Sequence, residues 1–289
     1  MNGGSKLRAG LIAGAIVLTA GVYLMSKTPM GTGASEAKSM SEGGTSAFSF
    51  EKYLTDAKVK IGWDAGNKTG TWDEQIKKGS SQLSLYDSLA ITWDSAGVPG
   101  ISAWYYAQKA TKNQSEKDWL NAAYRYFDAF KAGKDSSEAS YFVAKAIESY
   151  NKVLELNPEN LNAKTDLGIL YAEGTAEPMK GIMLLREVVT KDPQHENAHL
   201  NLGFLSMKSG QFEKALERFQ KVLQINPARI DMHIYMGEAY VRMGNTDKAI
   251  ENFEIFKNSS DTNIQLLIQL MSKVEETFDT LANINGIEI

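Results

Sequence analysis

Residues 196–229 read ENAHLNLGFLSMKSGQFEKALERFQKVLQINPAR, and this stretch decides the fold. Leu202-Gly203 falls on a first helix and Gly210 marks a turn. Ala215 and Phe219 lie four apart on a second helix, and Pro227, which cannot continue a helix, closes it. Gly203 and Ala215 let the two helices approach closely, while Leu202 and Phe219 fill the space beside them. The pattern recurs downstream as Met236-Gly237, Tyr240, Gly244, Ala249 and Phe253. It recurs upstream as Leu167-Gly168, Tyr171, Gly181, Leu185 and Pro193, with one extra residue expected in the turn. Asn157-Pro158, Asp192-Pro193 and Asn226-Pro227 punctuate these copies at nearly equal intervals.

A helix–turn–helix period near 34, with small and large residues at these places, resembles the tetratricopeptide repeat (TPR). The resemblance covers roughly 100 residues and implies an all-α fold, an α-solenoid of stacked repeats. The copies span 161–195, 196–229 and 230–263. A further copy at 118–160 carries Ala123 and Tyr126 on its first helix and Ala146, Tyr150 and Val153 on its second. Ala146 follows Ala123 at nearly twice the usual interval, which predicts an insertion of about eleven positions around Lys131 to Glu138. Residues 48–117 hold four of the five tryptophans, with Trp119 just beyond, and read as a divergent helical region; Leu89-Ala90, Trp93, Gly97, Ala103, Ala107 and Ala110 suit a degenerate copy. Large aromatics at helical spacing belong more often to a core than to a ligand surface. In the last copy Phe256 and Asp261 depart from the pattern, as expected where an array stops. Residues 264–289, with Ile264, Leu267, Ile268, Met271, Val274 and Phe278 on one face, read as a capping helix.

In the family the first helices line a concave groove, which here implies Thr165, Asp166 and Ile169; Leu200, Asn201, Phe204, Met207 and Lys208; and Ile234, Tyr235, Glu238, Val241 and Arg242. Relatives that clamp a C-terminal carboxylate carry lysine and asparagines at such places. Leu200 with Phe204 and Ile234 with Glu238 argue against that ligand. The expectation is a mixed, partly apolar groove for an extended segment or helix of a protein partner, with Lys208 and Arg242 open to acidic side chains. The competing expectation is that neighbouring repeats, the last helix or a second copy of the chain cover the apolar members.

Before the repeats, Ala9 to Ser26 form an uncharged stretch, at the short end of the roughly 20 residues that a membrane-spanning helix needs. Lys6 and Arg8 precede it, so the positive-inside tendency puts the N-terminus in the cytoplasm and the bulk of the chain outside it. The fold class is therefore read as a TPR α-solenoid preceded by one transmembrane helix, with residues 1–26 as anchor. No small-x-small site follows closely, which favours an anchor over a cleaved signal peptide. Gly10, Gly14, Val17 and Gly21 recur at helical spacing and suit close approach of two such helices. Residues 27–47, rich in Gly, Ser, Thr and Ala, read as a flexible tether.

The absence of cysteine among 289 residues excludes disulfides, thiolate metal sites and thiol nucleophiles. A net charge of −4 with dispersed basic residues argues against nucleic acid. His195 and His199 form a His-x-x-x-His pair without a third ligand, and GWDAGNKT at 62–69 lacks phosphate-loop spacing. No catalytic set, cofactor or metal is expected. The layout resembles bacterial inner-membrane TPR accessory proteins of the Sec translocon or cytochrome c maturation, which implies a periplasmic scaffold; a self-assembling TPR protein is the alternative.

Overall fold

Small residues at helical spacing, glycine-closed turns and capping side chains shape the described part of the chain into helices. The computed structural model describes residues 48–259. The expected anchor (1–26), tether (27–47) and capping helix (264–289) lie outside these residues. Among the described residues there are twelve helices and no strand, and no helix is long and apolar enough to cross a membrane.

The described residues divide into two units, 48–191 and 192–259. In the first, α1 (Phe50–Lys60), α2 (Trp63–Lys77), α3 (Ser84–Ser95) and α4 (Pro99–Asn113) precede the paired helices α5 (Glu116–Ala132) and α6 (Ser136–Leu156), then α7 (Leu161–Gly174) and α8 (Pro178–Lys191). In the second, α9 (Glu196–Lys208) pairs with α10 (Phe212–Ile225) and α11 (Met232–Arg242) with α12 (Thr246–Lys257).

Three of these pairs close around a missing side chain. A Cβ on Gly203 would lie 2.6 Å from the buried Phe219 ring, and one on Gly237 would lie 2.5 Å from Phe253. At Gly181 the obstacle is backbone: a Cβ there would stand 2.7 Å from the Ala172 nitrogen and nearer still to the Gly168 carbonyl. Turns repeat as well. Gly210 and Gly244 adopt φ of 72° and 74°, and the following Gln211 and Asn245 donate their N–H groups back to Ser206 and Tyr240 at 2.8 and 2.9 Å. Gly97, at φ 71° between α3 and α4, does the same through Val98.

A second device closes the opposite end of two hairpins. The Asn157 and Asn160 amides donate to Glu116, the first residue of α5, at 3.0 and 2.8 Å. The Asn226 amide and Arg229 donate to Glu196, the first residue of α9, at 3.1 and 2.7 Å. The asparagine before each proline thus does more than precede a helix breaker: it ties the end of the second helix to the start of the first.

The insertion in the α5–α6 repeat is not a loop. Only positions 133–135 join the helices, and the added length lies in the helices themselves. Helix α5 has 17 residues where α9 has 13, and α6 has 21 where α10 has 14. These increments are about one and two helical turns, so apolar residues keep their face. Likewise the extra residue of the next copy leaves a short link, 175–177, and falls in α7.

The core of the first unit is continuous with its aromatics. Phe142, Ala146, Tyr150 and Val153 of α6 meet Ala122, Ala123 and Tyr126 of α5. Phe48, Phe50 and Tyr53 dock α1 on Tyr141, Phe142 and Trp104, with Phe48 and Tyr141 centroids 4.7 Å apart. Trp93 and Trp119 are buried, and Trp72 and Trp104 pack partly buried in the same unit, which makes these four tryptophans packing residues. Tyr105 donates to Asp73 at 2.5 Å, and Lys58 pairs with Asp73 at 3.0 Å, tying α1, α2 and α4 together.

Gly181→Ala is expected to destabilise the protein by about 1–3 kcal/mol, because two backbones must separate to admit one methyl group. Glu213→Gln on the exposed face of α10 should be neutral. Urea unfolding followed by circular dichroism distinguishes the two.

Candidate protein-binding face

Within a hairpin the core takes one stripe of the first helix and leaves another for solvent or a partner. Ala123, Gly168, Gly203 and Gly237 mark the closely packed position, so residues counted from them are equivalent.

In the first unit α7 carries three of the expected residues, and they differ sharply. Thr165 is 1% exposed and its hydroxyl donates to the Leu161 carbonyl at 2.8 Å, so it belongs to the interior and not to a binding face. Ile169 is half-buried. Asp166 is half-buried and accepts the Tyr150 hydroxyl at 3.2 Å. Burial pushes its carboxyl up to about 6, only partly offset by the Tyr150 hydrogen bond.

The same unit holds a cavity of about 290 Å³ lined by Tyr106 of α4 and by Asn121, Tyr124, Arg125, Phe127 and Asp128 of α5. Counting from Ala123 makes Tyr124 the equivalent of Phe204, Phe127 of Met207 and Asp128 of Lys208. Sequence reading missed these residues, although the register set by Ala123 would have found them. Arg125 pairs with Asp94 at 2.7 Å and Asp128 at 2.8 Å. Tyr124, 38% exposed, lies edge to face with Tyr150, centroids 6.1 Å apart.

In the second unit the apolar members of α9 are largely taken up by packing. Leu200, Phe204 and Met207 rest on the core of Phe219, Val222 and Met232. Phe204 meets Phe219 at 5.5 Å and Tyr235 at 4.8 Å, and Tyr235 closes the triangle on Phe219 at 5.6 Å. Phe204 and Tyr235 thus stack one hairpin of this unit on the next. Asn201 donates to the Asn197 carbonyl at 2.7 Å, and Lys208 is exposed. On α11, Ile234 is half-buried and Val241 packs on Ala249 and Phe253. Glu238 is largely buried; desolvation raises its carboxyl above the usual range despite Arg242 at 3.4 Å. Arg242 is therefore loosely engaged and not wholly open.

The histidines are structural partners within hairpins. His199 Nε2 meets the Pro193 carbonyl at 3.2 Å and its Nδ1 faces Arg218 at 3.2 Å, the pattern of a neutral ring with its proton on Nε2. Burial lowers its pKa. His233 Nδ1 donates to Asn252 at 2.9 Å, and Asn252 stands at the same interval from His233 as Arg218 from His199. His195 caps α9 through its Nδ1. Among the described residues no three metal-ligating side chains converge. GWDAGNKT opens α2, with Gly62 as its N-cap and the Thr69 hydroxyl donating to Gly66.

Residues 206–252 and 143–160 match models of the tetratricopeptide repeat, and the chain therefore carries such repeats. The mitochondrial import receptor subunit TOM70 of Rattus norvegicus is 27% identical over 81 residues, 28% of this chain and 13% of that protein. The BBSome complex member BBS4 of Bos taurus is 29% identical over 142 residues, 40% of this chain and 27% of that protein. The chain thus spans 13% and 27% of these relatives' lengths. Among solved structures, MamA superposes with a TM-score of 0.49 at 21% identity, covering 60% of this chain and 88% of that one. A thermophilic TPR protein of Thermus thermophilus gives 0.47 at 15% identity, covering 66% and 94%.

Asp166 yields a pH signature. Its folded pKa lies above its unfolded one, so its contribution to stability is present below about pH 4 and lost as pH rises through about 6. Asp166→Asn should match the wild type near pH 4 and exceed it by about 1–3 kcal/mol at pH 8. Denaturant unfolding at both pH values reads this difference, and a less stable variant at pH 8 would contradict it.

Proposed function

We propose that the chain is a membrane-anchored TPR scaffold that holds partner proteins against its first helices and serves the assembly or stabilisation of an envelope protein complex. The observation that carries this reading is the cavity on α5, where Tyr124 and Phe127 stand beside Arg125 and Asp128 above a core that is already closed. A face of mixed aromatic and charged groups suits a peptide segment or helix better than it suits water. TOM70 is named as a receptor subunit and BBS4 as a complex member, roles in which a protein is held by another. No cofactor or reaction enters this proposal.

Residues 9–26 supply the membrane attachment in this reading. Lys6 and Arg8 before them favour a periplasmic location for the repeats. Cleavage of that segment would release the same scaffold into the periplasm or beyond.

A homo-oligomer is the second reading. It is favoured by Met179 and Met183, one turn apart on α8 and 62% and 67% exposed, an adaptable apolar pair suited to a second copy.

A periplasmic reporter fused after Ile289 is expected to be active, and a cytoplasmic C-terminus overturns the location. A photoreactive residue at Tyr124 or Ile234 should crosslink a discrete partner, whereas equal yield from Lys214 on the second helix of its repeat would sink the groove. Light scattering of protein lacking residues 1–46 should give a monomer for a partner-binding scaffold and a larger mass for the self-assembling alternative.

A further inference from the structure

Charge around the cavity of the first unit is unbalanced in one direction. Lys109 is shared between Asp87 at 2.8 Å and Asp118 at 3.1 Å, and Arg125 is shared between Asp94 and Asp128. Asp166 has the Tyr150 hydroxyl as its partner and no cation in ion-pair contact among the described residues. With Lys131, whose ammonium lies over the Phe127 ring at 4.7 Å, three cations therefore stand among five carboxylates in this part of the unit.

This excess reaches the cavity through the two phenols that line it. After burial itself, Asp94 and Asp87 raise the Tyr106 hydroxyl pKa, partly offset by Arg125 and Lys109, and Asp166 raises that of Tyr124. Both phenols thus stay protonated and present ring and hydroxyl to a guest. Carboxylates beside an accessible phenol ring form the environment that holds an ammonium or guanidinium group, by charge-assisted hydrogen bonds and by the ring's negative face. The volume, about 290 Å³, is at the lower end of ligand pockets, which run roughly 300–1,000 Å³. One long side chain fits such a space better than a whole small molecule.

We propose that this cavity receives an arginine or lysine side chain from a segment of a protein partner, seated against Tyr124 and neutralised by Asp128 and Asp166. The inference rests on the scaffold reading and names the chemistry of its partner. The sign of the surrounding charge disfavours an acidic tail or a phosphate backbone at this place. Asp166 is then a group whose burial lowers the stability of the free protein and whose charge is used when the partner arrives.

The test uses the full chain and short synthetic peptides of equal length that are arginine-rich, glutamate-rich or glutamine-rich, followed by fluorescence anisotropy. The arginine-rich peptide is expected to bind best. Asp166→Asn and Tyr124→Leu should each weaken it about tenfold, while Glu213→Gln, which removes the same charge from α10, should leave it unchanged. Because Asp166→Asn is expected to be at least as stable as the wild type, its loss of binding would not be unfolding. Binding of no peptide, preference for the glutamate-rich peptide, or equal loss in Glu213→Gln overturns the proposal. A concentration-dependent dimer in sedimentation that Asp166→Asn abolishes assigns the cavity to a second copy and also overturns it. Crosslinking through Tyr124 without a preference for basic peptides leaves the scaffold standing and removes only the charge assignment. No crosslink from any first helix removes the scaffold itself.

Discussion

Two helices can lie at backbone distance only where a side chain is missing, and the described fold depends on that constraint. Gly203 against Phe219, Gly237 against Phe253 and Gly181 against the backbone of α7 are the places where it is met. Once the helices are that close, each first helix has one face committed to its partner, and the next face must either stack on a neighbouring hairpin or remain for a ligand. The Glu116 and Glu196 clamps hold the ends of two such pairs, so the closing interaction does not rest on apolar contact alone.

The long repeat shows how tolerant this arrangement is of length and how intolerant of phase. The extensions of α5 and α6 leave Ala123 and Ala146 in the core because each approximates whole turns. A different partition of the insertion would rotate one helix and expose Phe142 or Tyr150. The addition carries the chain past an ordinary hairpin and supplies Phe142, on which the aromatic side chains of Phe48 and Tyr53 dock.

The first helices of the two units share a backbone plan and differ in chemistry. On α9 the aliphatic and aromatic residues are turned to packing, with Phe204 and Tyr235 forming a triangle with Phe219. On α5 the equivalent positions surround a cavity, and their neighbours are carboxylates in excess of cations. A half-buried Asp166 without an ion-pair partner is electrostatically unfavourable in the free protein. A basic guest side chain would relieve that imbalance, which links the stability and the recognition properties of one residue.

The sequence alone determined the repeat, its boundaries near the Asn-Pro and Asp-Pro pairs, the closely packed small residues and the glycine turns, because these are local requirements with fixed spacing. It also marked Asp166, Phe204 and Ile234 as first-helix residues of interest, since a regular period makes equivalent positions countable. What it left undecided was which of them is covered. Thr165 turned inward, Phe204 was taken by the next hairpin, and Tyr124, Phe127 and Asp128 emerged around a cavity in a repeat whose register Ala123 already set. Burial of a first-helix side chain is set by residues one or two helices away in the chain, such as Tyr235 beside Phe204 or Tyr150 beside Asp166, and only the tertiary packing brings those groups together.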